Sequence, residues 1–248
     1  VLKTHLFHPH NELSSKQWVK DFSLGFKHGL PIFLGYIPVA FTFGLIAVRG
    51  GLPVGVALLI SLTNLTSAGQ FAGTNLLISG ATLFEITITT LVINIRYLLM
   101  SLSLSQKMAP SIPLTQRCLM AFGITDETFS VASLEKQEIT FAYMLGLITG
   151  PYWGWGLGTA LGGLICSVLP SSLQDSVGIT LYAMFIALLI PQVKRTQAAF
   201  IVAFVAISVS SGFTWLPYLN RISEGWSIIM ATVIACLIGA AFFPREDV

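Results

Sequence analysis

Beyond about residue 25, long apolar runs alternate with short polar or glycine-proline turns along the whole chain. Runs of about 20 residues match membrane-crossing helices, whereas transmembrane strands would show segments of about ten residues with alternating polarity. The pattern predicts an all-α, polytopic helical membrane protein with about eight transmembrane segments. These are expected at about Leu30–Val48, Leu52–Ile78, Ala81–Ser103, Leu114–Leu134, Thr140–Leu169, Val177–Ile190, Ala198–Leu216 and Gly225–Phe243. Residues 1–25 then form a cytoplasmic or interfacial segment, and residues 26–248 a single transmembrane domain. Trp18, Phe22 and Phe26 recur every four residues, which predicts a short helix lying on the membrane surface.

Several runs depart from the plain apolar pattern. The first contains Pro31 and Pro38 and ends at Arg49-Gly-Gly-Leu-Pro, a turn signal. The second is long for one straight crossing and is interrupted by Asn-Leu-Thr-Ser-Ala-Gly-Gln-Phe-Ala-Gly (64–73), so a kink or break is expected near Ser67 to Gly73. The third carries Glu85 near one end and Arg96 near its middle. Eleven residues make about three turns, so both charges share a helix face roughly 16 Å apart, with Thr82, Thr89 and Ser103 nearby. That polar strip suits a protein-lined or water-lined path through the membrane. Glu85, nearer the edge, is expected to be solvated.

Leu114–Leu134 includes Arg117, Asp126 and Glu127, and loop charges arbitrate whether it crosses. Counted as a span, it leaves Lys3, Lys16, Lys20, Lys27, Lys136, Lys194, Arg195 and Arg245 on the cytoplasmic side, against Arg49, Lys107, Arg117 and Arg221 outside. Left out, the balance reverses. The positive-inside rule therefore favours eight crossings with both termini cytoplasmic, a re-entrant segment fitting less well. The fifth span carries Gly146, Gly150, Gly154, Gly158 and Gly162, four apart, a stripe of small residues that lets another helix approach closely. A proline-containing, glycine-bearing span followed by a Val-Gly start occurs twice, at Pro38–Gly55 and Pro151–Gly178, as in transporters built of two structural repeats with broken helices.

Composition narrows the chemistry. Of 248 residues, 54% are hydrophobic and only 10% charged, with mean hydropathy +0.79, far from the roughly quarter-charged average of soluble domains. The net charge of +2 comes without a basic cluster, so no nucleic-acid partner is expected. The N-terminal segment lacks the apolar core and small-residue cleavage site of a removable signal peptide. Cys118, Cys166 and Cys236 have no CxxC spacing and read as packing residues. His5, His8, His10 and His28 all precede the expected first span, so an intramembrane Ser-His protease lacks its base. No HExxH, aspartyl dyad, Walker motif or dinucleotide glycine motif is present, which argues against an enzyme, a metal, a cofactor or direct ATP hydrolysis.

Four stretches carry a family resemblance: Gly-Leu-Pro-Ile-Phe-Leu-Gly-Tyr-Ile-Pro (29–38), Ser-Ala-Gly-Gln-Phe-Ala (67–72), Asn-Ile-Arg-Tyr-Leu-Leu (94–99) and Thr-Asp-Glu-Thr-Phe (125–129). Together they resemble the AzlC-type branched-chain amino acid permeases, over most of the chain from about Gly25. The resemblance implies a multi-pass protein of the bacterial cell membrane that exports valine, leucine and isoleucine with a small hydrophobic AzlD-type subunit.

An amino acid zwitterion in a bilayer needs a cation for its carboxylate and acceptors for its ammonium. Arg96 is the expected carboxylate partner, with backbone N–H groups around Ser67 and Gly69; Gln70 and Asn94 complete orientation by hydrogen bonding. Asp126, Glu127 or Glu85 would take the ammonium or a coupling proton. Two roles stay open for Arg96, because a permanent pair with Asp126 or Glu127 would hold two spans together instead. A non-transporting assembly subunit or channel component, with its polar strip packed on a partner, is the rival reading.

Overall fold

The computed structural model describes residues 10–166, 193–219 and 221–243, with scattered positions between 168 and 191. The expected span Val177–Ile190 lies mostly outside the described residues. Nine helices are described: α1 (His10–Arg49), α2 (Val54–Thr63), α3 (Ala68–Ile78), α4 (Leu83–Ser105), α5 (Leu114–Phe122), α6 (Asp126–Ser133), α7 (Phe141–Ile165), α8 (Gln197–Trp215) and α9 (Glu224–Phe242). Four stretches, Ser15–Arg49 within α1 together with α4, α8 and α9, are long and apolar enough to cross a membrane. Large apolar side chains such as Leu98, Leu99, Phe204 and Leu237 are more than half exposed. Such a surface calls for lipid or protein cover rather than water, and the chain is an all-α integral membrane protein.

The surface helix expected around Trp18 is instead the start of α1, whose 40 residues run unbroken. Trp18, Phe22 and Phe26 stack along it, with centroids 5.3 and 6.4 Å apart. The helix ends at Gly51, whose φ of +95° lets the Leu52 N–H reach back to the Ala47 carbonyl at 3.0 Å.

The chain divides into two compact units, Val1–Ile37 with Tyr97–Leu157, and Pro38–Arg96 with Gly158–Val248. In the first unit α1 and α7 pack backbone to backbone. A Cβ on Gly25 would press on Tyr143 O and lie 2.9 Å from Leu147 N; one on Gly146 would press on Phe22 O and lie 2.9 Å from Phe26 N; one on Gly154 would meet Phe33 Cδ2 at 2.8 Å. Contacts advance together along both helices, so they run parallel.

This unit also corrects the reading of Leu114–Leu134 as one crossing. The segment is two helices of nine and eight residues, α5 and α6, with a break at Gly123–Thr125. At 1.5 Å per residue, neither reaches half of the roughly 30 Å hydrocarbon core. Backbone bonds from Ala109 N to Ile139 O (3.3 Å) and from Ile139 N to Lys107 O (2.8 Å) join the chain just before α5 to the chain just after α6. The pair therefore enters and leaves at one end. The physical reason is the break itself, where Gly123 ends α5 and Thr125 caps a new helix. Charge counting could not see it, because a segment that turns back has no far side.

In the second unit the long run Leu52–Ile78 is broken at Asn64–Ser67 into α2 and α3. Ile78, at the end of α3, lies against Gly50, just before α2, so this pair also returns to its starting end. α3 lies antiparallel to α4: Gly69 faces Asn94, and a Cβ on Gly73 would lie 2.9 Å from Thr90 Cγ2. Gly162 faces Phe41, and Gly158 is buried. α8 starts with Thr196 accepting from the Ala199 N–H at 3.3 Å, and packs along α9, with Val202 against Gly239.

Candidate functional site

The two helix breaks differ in how their polar groups are satisfied. In the second unit, α3 starts at Ser67, which has φ +49° and ψ −94° and offers no side-chain cap. No acid occupies the first turn of α3, so the positive end of its dipole goes unanswered within the helix. Among the described residues, Ser67 Oγ and Asn94 Oδ1 are buried atoms without a hydrogen-bond partner. Asn94 lies halfway along α4, with its amide filling the space where Gly69 would carry a Cβ; the nitrogen would lie 2.6 Å from that atom. Of the residues expected to bind solute, Ser67, Gly69 and Asn94 thus sit at one break.

Gln70, in the first turn of α3, is bonded within the protein. It is 1% exposed and donates from Nε2 to Ser61 Oγ at 2.7 Å, and Ser61 Oγ lies 2.7 Å from Thr159 Oγ1. This chain of amide and hydroxyls ties α3 to α2 and to the end of α7. Arg96 stands two residues beyond Asn94, about 200° round the helix, and so projects from the opposite face of α4.

That opposite face also carries Glu85 and Thr89, and here the expected solvation of Glu85 is overturned. Glu85 is 7% exposed, and its Oε1 accepts from Ser223 Oγ and from the Gly225 N–H at 3.2 Å. Hydropathy located Glu85 near a membrane edge. The tertiary fold brings the first turn of α9 there, where free N–H groups and the helix dipole favour an anion. Thr89, fully buried, faces the same turn, its hydroxyl without a hydrogen-bond partner among the described residues. The early turns of the polar strip are therefore sealed by protein.

The break in the first unit is closed by its own side chains. The Thr125 hydroxyl accepts from the Thr128 N–H at 3.3 Å, and the Thr125 N–H donates to Thr128 Oγ1 at 2.8 Å, a reciprocal capping box. Asp126 and Glu127 fill the first turn of α6. Tyr36, on α1, donates to Glu127 Oε2 at 2.5 Å and lies 2.7 Å from Thr125 Oγ1; its ring packs edge-on against Trp155 at 5.1 Å. Sequence reasoning assigned Tyr36 no role. The available signal was a phenol in the middle of an apolar run, since a buried Tyr hydroxyl needs a partner. Removing it with Tyr36→Phe leaves the Glu127 carboxylate one donor short, and is expected to lower stability by about 1–3 kcal/mol. A thermal unfolding midpoint equal to the parent's would show that the bond contributes nothing.

Two helices broken midway, one with an open start and one closed by acids, define a polytopic α-helical membrane protein with re-entrant helix pairs. The sequence comparisons give the family. The chain belongs to the AzlC protein family, whose model matches residues 31–169. It is 30% identical to the inner membrane protein YgaZ of Escherichia coli over 73% of this chain and 77% of that protein. An uncharacterized membrane protein of Archaeoglobus fulgidus is 33% identical over 86% and 91%. The branched-chain amino acid transport protein AzlC of Bacillus subtilis is 23% identical over 77% and 75%. No solved structure matches the chain.

Proposed function

We propose that this protein is a secondary transporter that exports valine, leucine and isoleucine across the bacterial cytoplasmic membrane, together with a small hydrophobic AzlD-type subunit. The observation that carries the reading is the open start of α3. A buried helix N-terminus with no cap and no acid in its first turn is suited to an external anion, and the carboxylate of an amino acid is one. Ser67 Oγ and Asn94 Oδ1, without partners among the described residues, supply further polar groups for it. Arg96, on the other face of α4, offers a second contact for the carboxylate, which the solute meets before or after the α3 start rather than together with it. The start of α6 takes a separate role in the first unit: Asp126 and Glu127 already answer its dipole, and they are the carboxylates available there for a coupling proton. The family membership and the name of the Bacillus relative support the substrate class.

The orientation follows from charge. In the first unit, the Thr140 hydroxyl donates to Asp21 Oδ2 at 3.0 Å, so the N-terminal part of α1 lies at the end where α5–α6 enters. Lys16, Lys20, Lys27, Lys107, Arg117 and Lys136 all belong to segments at or near that end. By the positive-inside rule it faces the cytoplasm.

The test is export of the three amino acids from preloaded cells that express this chain alone, or with a small hydrophobic partner subunit. Export above the empty-vector rate only with the partner is expected. No export under either condition, with both proteins present in the membrane, would reject the substrate and favour an assembly subunit.

A further inference from the structure

We propose that His28, Glu135 and Tyr143 form a proton-operated clip that fastens the base of the α5–α6 pair to α1. His28 lies within α1, eight residues before Tyr36. Its Nδ1 is 3.3 Å from Glu135 Oε1 and 3.0 Å from the Tyr143 hydroxyl, which itself donates to Glu135 Oε1 at 3.1 Å. The His28 and Tyr143 rings meet edge to face at 5.8 Å. Three elements of the first unit thus converge on one carboxylate: α1, α7 and the short link that follows α6.

The consequence depends on which of these elements can move. α1 and α7 are locked by glycine contacts in which backbone meets backbone, at Gly25, Gly29 and Gly146. The α5–α6 pair meets them at its break through Tyr36 and through Ile148 of α7 against Gly123, and at its base through Glu135 and the neighbouring Thr140–Asp21 bond. Glu135 is the one of these fastenings whose strength depends on a histidine. The groups facing the cluster are Asp21 on α1 and Glu138 on the link, which line a cavity of about 180 Å³ together with Glu135 and Tyr143. Lys107 is the nearby cation, its Nζ bonding the Ser133 carbonyl at 2.5 Å and lying 3.4 Å from that of Glu135. Among these residue types, histidine is the one that changes charge between about pH 5 and 8. A protonated ring gives Glu135 both a hydrogen bond and a charge partner; a neutral ring gives it at most the hydrogen bond. The clip is closed at low pH and loosens as the pH rises. Because α6 starts with Asp126 and Glu127, release of the base would free the segment that carries those acids. The inference concerns the movement of this segment and holds whatever solute the protein carries.

Purified full-length protein in detergent tests it without a transport assay. In a chain with Cys166→Ala and Cys236→Ala, the change Ala132→Cys puts a reporter thiol on α6 at a fully buried position, and exposed Cys118 serves as the internal reference. The rate of maleimide labelling at position 132, divided by that at Cys118, is expected to rise roughly twofold to fivefold from pH 6 to pH 8, the range for a partly exposed ion pair. His28→Gln and Glu135→Gln should each abolish the rise, whereas Tyr143→Phe should retain it. A flat ratio in the parent, or a rise that survives both changes, overturns the clip. If His28→Gln does not yield folded protein, Glu135→Gln carries the test alone.

Discussion

Gly146→Ala is expected to destabilise the protein severely, while Gly150→Ala, one turn further along the same helix, leaves it unchanged. A Cβ at Gly146 would press on the Phe22 carbonyl and lie 2.9 Å from Phe26 N, so one added methyl group meets main chain that no rotamer change can move aside. Overpacking a core costs about 1–3 kcal/mol, and an obstacle made of backbone puts the cost at or above the top of that range. At Gly150 the nearest atoms to a Cβ, Gly29 O and Phe33 Cβ, are 3.6 Å away, an ordinary contact. Gly35 has nothing within 4 Å and serves as a neutral control on α1. The measurement is the thermal midpoint of the detergent-purified protein, read by loss of the monodisperse species. Equal midpoints for Gly146→Ala and Gly150→Ala would mean that α1 and α7 do not meet by backbone contact.

Arg96→Gln is expected to lower export of branched-chain amino acids by about 10- to 100-fold, with the protein inserted and as heat-stable as the parent. A hydrogen bond between charged groups contributes about 1.5–3 kcal/mol, and each 1.4 kcal/mol is tenfold. Glutamine keeps a polar N–H donor but is shorter and loses the charge that holds a carboxylate. The control is stability measured on the same preparation. If export and thermal stability fall together, Arg96 is a structural cation, and the carboxylate must be held by the start of α3 without it.

Much of this fold was legible before any coordinates. The apolar runs identified the membrane class, and the polar interruption at 64–73 marked a break, expected near Ser67 to Gly73, that the structure has a few residues earlier, at Asn64–Ser67. Both signals are local, set by composition and chain length. The second break was misread for a physical reason. Leu114–Leu134 has the length of a span, and only the pairing of Met108 with Ile139 reveals that it turns back. That pairing joins residues far apart in sequence, which hydropathy and charge counting do not register.

The candidate site was partly legible in the same sense. Helical periodicity aligned Glu85 and Thr89 on one face of α4, but did not say what that face meets; both meet the start of α9. Glu85 was expected in water and instead receives the first turn of α9, more than a hundred residues later. Asn94 and Arg96 were expected to act on one solute, although residues two apart on a helix point to nearly opposite sides. Tyr36 went unnoticed because its importance lies in reaching Thr125 and Glu127.

The sequence by itself determined the solvent of this protein, the helical class, the family motifs and the interruption of the second apolar run, because all of these follow from composition and local propensity. Only the tertiary structure decided which segments turn back, which glycines are compressed, and which helix start is left open. Those depend on long-range packing. A capped helix start and an uncapped one are told apart by the side chains that reach them from elsewhere in the chain.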